Sequence, residues 1–349
     1  MFKRFSRLVF SAAISVSASA VFAQQNLSGE TANPGGTAYL SLSHLSEAAA
    51  SAGIANIQLS AGQTLTNTTQ NLAEGKTDIA STTFVLPFLM SQGRGPYSTL
   101  GAEKGAELAA NLRLLYPYTL GVIGLYGYDS AGVQGWDDLK GRTLLNGPPR
   151  GGALTNARAL IRIATGLNEG AGYTGVQVNW GQALKTITDG TVDAAVLPLQ
   201  FPDTRVTGAL AAGRMTLWSL PKPVYDSAHF VKLAKLPGSA PWIMDLKDVN
   251  APEGLSVVSQ DDKFRGLAIK GGDIVHKDMD FDLAKALVTA HIKTLDALKA
   301  KTPFAANVGY GDLDPVRSGL CGANPLKYHA GALAAWQEAG YEIDDCAKP

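Results

Sequence analysis

Two periods of apolar residues alternate along most of this chain. Residues 42–52 carry a helical pattern ended by Gly53, and 56–60 then alternate as a strand would. Residues 66–73 return to the helical period until Gly75 stops them, and 77–83 read as a second strand. Further on, 102–110 read as a helix, and 112–116 and 119–126 as two strands broken at Pro117. A strand at 176–179, a helix at 182–188 ended by Gly190 and a strand at 192–197 repeat the plan. Residues 225–275 are mixed and rich in loop signals. Residues 280–299 form an amphipathic helix with Leu283, Leu287, His291 and Leu295 on one face, and 324–340 hold a last helix. Strands and helices alternating at this spacing predict an α/β protein with parallel strands covered by helices.

The plan occurs twice. Glu74-Gly75-Lys76-Thr77-Asp78-Ile79-Ala80 and Asp189-Gly190-Thr191-Val192-Asp193-Ala194-Ala195 each end a helix on glycine and enter a strand through aspartate. This echo predicts two similar α/β lobes, although common turn chemistry would also produce it.

Between the halves, residues 136–164 read as a turn (137–141), a strand (142–145), a glycine-rich loop (147–152) and a helix from about Ala153. The loop sets bare backbone N–H groups and Arg150 at a helix start. The first N–H groups of a helix are unpaired and carry partial positive charge, so a carboxylate or phosphate fits there. An ordinary connection whose glycines only turn the chain is the plainer alternative, and a solvated loop arginine is the plainer reading of Arg150.

The N-terminus reads as a secretory signal peptide over 1–23. Lys3, Arg4 and Arg7 precede a short apolar run, and Val21-Phe22-Ala23 has the form of a cleavage site. The run is too short for a membrane span, and no cysteine follows it to carry a lipid. The mature chain is expected to begin near Gln24 in the periplasm. Both cysteines, Cys321 and Cys346, lie near the C-terminus. In an oxidising compartment they are expected to pair, closing a loop of about 25 residues worth roughly 3 kcal/mol. The formal charge of the whole sequence is zero, and removal of the three basic leader residues leaves about −3. No basic stripe suits nucleic acid.

Most catalytic signatures are missing. The five histidines, at 44, 229, 276, 291 and 329, have no zinc-ligand spacing, and His291 falls on an apolar helix face. There is no G-x-S-x-G elbow. The loop Gly147–Gly152 has neither the G-K-[ST] of a P-loop nor the spacing of a dinucleotide fingerprint. Asp137 and Asp138 read as turn residues. No metal and no cofactor are expected. A soluble exported chain with glycine- and hydroxyl-rich loops ahead of helices suits binding better than catalysis.

The pieces GGTAY (35–39), SAGQT (60–64), NLAEGKTDIA (71–80), RLLYPYTLGVIG (113–124), the 136–160 segment, GQALKTITDGTVDAAVLPLQFP (181–202) and NPLKYHAGALAAWQEAG (324–340) together resemble the TAXI class of extracytoplasmic solute-binding proteins. These serve TRAP transporters, and the resemblance covers nearly the whole mature chain. It implies a two-lobed periplasmic-binding fold with two crossovers, type II-like. Lobe 1 would take 24–116 plus 222–349 and lobe 2 118–220, with crossovers near 116–118 and 220–224. It implies a monomeric receptor for an organic acid or acidic amino acid, such as glutamate or 2-oxoglutarate, delivered to ion-driven membrane subunits without an ATPase. Carried onto this sequence, the ligand contacts would be Thr37, Tyr39, Gln63, Thr64, Thr82, Thr83, Arg150, Gly151, Gly152, Thr155 and Gln200. The chain departs from the family's G-S-G at Arg150-Gly151-Gly152, from its Gln-Ser at Thr83-Phe84, and from its G-G-x-P at Leu199-Gln200-Phe201-Pro202. A hydroxyl is lost and a guanidinium gained. An anion remains the expected ligand, with an apolar part that packs on Phe84 or Phe201. The alternatives are an exported enzyme or ligand sensor on the same fold, or a secreted antigen without a ligand.

Overall fold

The computed structural model describes residues 25–321 and 323–349. The expected signal peptide lies outside them. Its first half runs β1 (Gln25–Glu30), α1 (Thr37–Ser51), β2 (Ala55–Ser60), α2 (Leu65–Ala73), β3 (Ile79–Thr83), α3 (Val85–Ser91), α4 (Gly101–Ala109), β4 (Leu112–Tyr128), β5 (Thr143–Gly147), α5 (Gly152–Thr165), β6 (Thr174–Gln177), α6 (Trp180–Thr188) and β7 (Ala194–Leu199). It continues with α7 (Thr204–Ala209), β8 (Met215–Trp218), α8 (Lys222–Tyr225), α9 (Ala228–Ala234), β9 (Ser239–Asp245), β10 (Leu255–Val258), β11 (Lys263–His276), α10 (Phe281–Lys293), α11 (Leu295–Ala300), α12 (Pro315–Ser318), β12 (Lys327–Tyr328) and α13 (Ala330–Glu338).

The strands form one mixed sheet in the order β2-β1-β3-β11-β4-β7-β5-β6, with β8, β9, β10 and β12 joined at its sides. Two long strands are its spine. β4 has 17 residues and β11 has 14, and they pair antiparallel from Leu112–His276 to Ile123–Leu267. At about 3.3 Å per residue, β4 spans on the order of 50 Å, enough to pass through two hydrophobic bodies.

The cores confirm that there are two. Leu42, Leu45, Leu114, Tyr116, Tyr118, Ile274, Leu287 and Trp336 share one core. Beyond it, Ile123, Leu125, Leu160, Ile161, Phe230, Leu267 and Ile269 cover one face of the second sheet half. Val122, Tyr126, Val206, Leu217 and Phe264 cover the other face. The two-lobed α/β fold expected from the sequence is therefore present.

The return to the first body differs from the expectation. Segment 220–224 does not lead back: Leu220 donates its N–H to Arg265 O and packs in the second core. The proline pair there opens the short α8 instead of a crossover. The strand that runs back is β11, so Phe230 through Ile269 pack with the second body. Pro117 likewise breaks nothing. Its nitrogen points to the side of β4 where Thr119 N–H bonds Val308 O, away from the β11 ladder, so the missing donor costs little. Gly271 sits where the strands crowd: a Cβ there would lie 2.2 Å from Thr82 O. The expected disulfide is formed between Cys321 and Cys346, with Cα atoms 5.7 Å apart.

Candidate functional site

β1, β2, β3 and β5 each deliver their chain to a helix start near the junction of the two bodies. Parallel strands that end together bring the following helices' free N–H groups together. α1 begins after Gly36, α2 after Thr64 and α5 after Gly151, and none of these starts is capped by a side chain. α7 is the contrast. Its N–H groups are taken by Asp203, which accepts from Arg205 N and Val206 N. These three starts, and that of α3 after Phe84, keep donors that no side-chain cap uses.

The seam has two lips. At the first, α5 meets α2 and α3. Gly151 has φ 105°, which only glycine adopts without strain. A Cβ on Gly152 would meet Val85 Cγ1 at 2.7 Å and Thr83 Cγ2 at 3.9 Å, and one on Gly151 would lie 3.9 Å from Thr66 Oγ1. Here the second body's glycine loop lies directly on the end of β3. At the other lip, Gln200 Nε2 donates to Leu120 O at 2.9 Å and to Thr37 Oγ1 at 3.4 Å. Asn307 Nδ2 donates to Phe201 O at 3.1 Å.

The residues proposed from sequence divide accordingly. Thr37, Thr83, Gly151, Gly152 and Gln200 come together along the seam. Gln63 and Thr64 are exposed on the loop that starts α2. Arg150 is exposed beside Gly151, with no hydrogen bond or ion pair among the described residues. Tyr39 is half-buried on α1, two residues past Thr37. Two hydroxyls are committed elsewhere. Thr82 Oγ1 lies 2.6 Å from Thr69 Oγ1 in the interior, and Thr155 Oγ1 donates back to Gly151 O at 3.2 Å. The rings expected to pack on a ligand are inside the bodies. Phe84 is fully buried in the first core, and Phe201 stands edge-on to Phe264 in the second, because each side chain turns away from its loop into the nearest apolar layer.

Several supporting residues escaped the sequence reading. Beneath α1, the buried Asp273 accepts from Ser41 at 2.6 Å, Tyr118 at 2.7 Å and Ser81 at 2.8 Å. Burial raises its carboxyl pKa above the ordinary value, while these hydroxyls oppose the shift. Above them, Tyr310 OH donates to Thr37 O. Under the glycine loop, Glu169 accepts from Arg158 and Asn146, and the Arg158 hydrogen bond holds it below the usual carboxylate range. Where the two bodies join, Lys270 O accepts from Phe84 N and Thr83 Oγ1, and Lys270 N donates to Gly238 O. Its ammonium is buried against Thr119 Oγ1 and the Trp242 ring, and desolvation pulls it down to about 8. Alternating-period reasoning reaches none of these, since each contact joins residues far apart in sequence. His291 stacks on Tyr116 with ring centroids 3.5 Å apart, fully buried as a packing residue.

An open depression of about 430 Å³ lined by Asn26, Ser28, Asn56, Gln58 and Asp78 lies at the opposite ends of β1 and β2. No helix starts there. Among the described residues no group of three His, Cys, Asp or Glu side chains is placed to hold a metal.

Among curated proteins the sequence has no match. Solved structures similar to it at low identity include three solute receptors. One is DctP7, an extracytoplasmic solute receptor of Bordetella pertussis that binds pyroglutamic acid (12% identity, 90% of this chain and 93% of that one, TM-score 0.45). Another is a TRAP periplasmic solute-binding protein of Chromohalobacter salexigens with bound (S)-(+)-2-amino-1-propanol (11%, 90% and 90%, TM-score 0.47). The third is the periplasmic ectoine-binding protein of the TeaABC TRAP transporter of Halomonas elongata (10%, 90% and 90%, TM-score 0.43). None of these scores reaches 0.5, and the two-body architecture stands on the strand pairing and the cores above. The model of the NMT1-like family matches residues 30–340, which take in both bodies and every loop at the seam, and the chain belongs to that family.

Proposed function

We propose that this chain is an exported receptor of the TAXI class. It binds a small organic acid or acidic amino acid between two hinged lobes and passes it to the membrane subunits of a TRAP-type transporter. The lobes meet at β4 and β11, and the mature protein works as a periplasmic monomer after cleavage near Ala23. One observation supports the reading: α1 and α2 from one body and α5 from the other begin along the junction without side-chain caps, with Gly151 and Gly152 against Thr66 and Thr83 and with Thr37 against Gln200. Free N–H groups from both sides suit an anion that draws the lobes together. Arg150, exposed beside the α5 start, supplies the guanidinium for its carboxylate.

Native mass spectrometry of the purified mature protein tests the reading, since a retained acid appears as an added mass. Thermal-shift titration with L-glutamate and 2-oxoglutarate supplements it, because a ligand of the folded state raises the midpoint with concentration. Arg150→Ala is expected to weaken binding of an acid that registers by roughly 1.5–3 kcal/mol, the range for a hydrogen bond to a charged group. Unchanged affinity in calorimetry would remove Arg150 from the site. Turnover of the acid instead of binding would favour an enzyme.

A further inference from the structure

The two lips of the seam are closed by different means. Along the α5 lip, Gly151 and Gly152 face Thr66, Thr83 and Val85, the side chains that an added Cβ would meet, and no side-chain hydrogen bond joins them among the described residues. At the opposite lip, adjacent residues of one loop are tied across. Gln200 is bonded to Thr37 and to Leu120 O on the hinge strand, and the carbonyl of Phe201 accepts from Asn307. Away from β4 and β11, Gln200–Thr37 and Asn307–Phe201 are the side-chain hydrogen bonds that join the bodies among the described residues. Both lobes hold their half rigidly. Asp203 Oδ2 accepts from Gln200 N, and Asp203 is itself buried against Arg205. On the other side, Thr119 N–H bonds Val308 O, and Tyr310 OH bonds Thr37 O, so Asn307 and Thr37 belong to one braced unit.

We infer that Gln200 and Asn307 form an interlobe latch that holds this lip shut without ligand, and that Gln200 is a positioning residue here and makes no contact with the bound molecule. The amide of Gln200 spends its donors on Leu120 O and Thr37 Oγ1. A ligand therefore enters by the α5 lip, where contact alone opposes opening and the α5 helix start is unspent. The latch side serves as the pivot edge. This rests on the receptor reading for its purpose, but the latch itself is made of this chain's own residues.

The test uses ligand-free mature protein, shown empty by native mass spectrometry, with its disulfide intact. Gln200→Glu and Asn307→Asp keep the side-chain shape while replacing each donor by a carboxylate facing an acceptor. Spin labels on Glu103→Cys in α4 and Lys185→Cys in α6, both exposed positions, report the distance between the bodies. Each variant is expected to move the distribution toward longer distances and to raise the radius of gyration in solution scattering. Loss of one such hydrogen bond is expected to raise the open-to-closed ratio about five- to tenfold. Circular dichroism and the thermal midpoint confirm that the bodies remain folded, and Gln200→Ala with Asn307→Ala repeats the test without new charge. Distances identical to wild type in all variants overturn the latch, and so does an empty wild type that is already open. Either result leaves the receptor reading intact, because that stands or falls on the acid found by mass spectrometry and thermal shift.

Discussion

Besides Arg265, β11 buries Lys270 and Asp273 three residues apart, and the protein treats these two differently. Asp273, fully inaccessible, is met by the hydroxyls of Ser41, Ser81 and Tyr118 from three separate elements. Lys270 is buried nearly as deeply, yet its ammonium has one hydroxyl, Thr119 Oγ1, and the face of Trp242. An ammonium carries three donors. Asp312 and Arg317 act on it from a distance with opposite signs. The carboxyl is a finished structural joint beneath α1. The amine is an expensive group kept at the point where β3, β9 and β4 converge. A buried charge is tolerated in proportion to the partners that replace its water.

Breaking the finished joint should cost most. Asp273→Ala leaves the buried hydroxyls of Ser41 and Tyr118 without their acceptor, at about 1–3 kcal/mol for each unsatisfied group, while Ser81 keeps Thr31 Oγ1 and Ala38 O. A loss of roughly 4 kcal/mol in urea unfolding is expected, with Asp273→Asn losing less because its amide oxygen still accepts. The pH dependence has a definite sign. A carboxyl whose folded pKa is raised binds its proton more tightly in the folded state, so its contribution is present at acid pH and is lost as pH rises through the folded value. If Asp273→Ala unfolds at the same urea concentration as wild type, the network is ornamental.

The same two charges explain what was hidden in the sequence. β11 reads KFRGLAIKGGDIVH, and Arg265, Lys270 and Asp273 fall inside it with Gly266, Gly271 and Gly272. Charges and glycines signal loop to any periodic reading, so the longest return strand vanished into a mixed region and the crossover was set too early. β4 was split at Pro117 for a related reason: sequence shows the missing N–H but not the absent ladder partner. The site loops were easier. Glycines and hydroxyls ahead of helix starts mark Thr37, Thr83, Gly151 and Gly152 locally; Gly152 lies against Thr83 at one lip and Thr37 meets Gln200 at the other. Asn307 carries no local signal, because its partner Phe201 is 106 positions away.

Titration separates the amine from the carboxyl. Lys270 is pulled down to about 8 from 10.5, chiefly by desolvation. The unfolded chain then binds more protons than the folded one between these values, so stability rises with pH across the window and the penalty is fully present below about 8. At about 1.4 kcal/mol per unit the rise amounts to roughly 3 kcal/mol. Lys270→Met fills similar volume without charge. It should flatten the difference in unfolding free energy between pH 8 and 10.5 and be more stable than wild type at pH 7. Parallel wild-type and variant profiles would show that the ammonium is hydrated, and the contrast with Asp273 would disappear.

The smallest effect sharpens the comparison most. Thr119→Val keeps the branched shape and removes the one hydroxyl that receives the Lys270 ammonium. A hydrogen bond to a charged group is worth about 1.5–3 kcal/mol, and the Trp242 ring that stays beside the ammonium places the expected loss near the lower figure at pH 7. Because only the charged amine needs that acceptor, the loss should shrink as pH rises past 8, and the alkaline rise in stability should begin at lower pH than in wild type. In the Lys270→Met background, Thr119→Val should be nearly neutral, since donor and acceptor are then both gone and no charge is stranded. A Thr119→Val cost that is equal at pH 7 and pH 10, and equal with or without Lys270, would mean that the hydroxyl serves packing around Gly309 and leaves the amine with no partner but the ring.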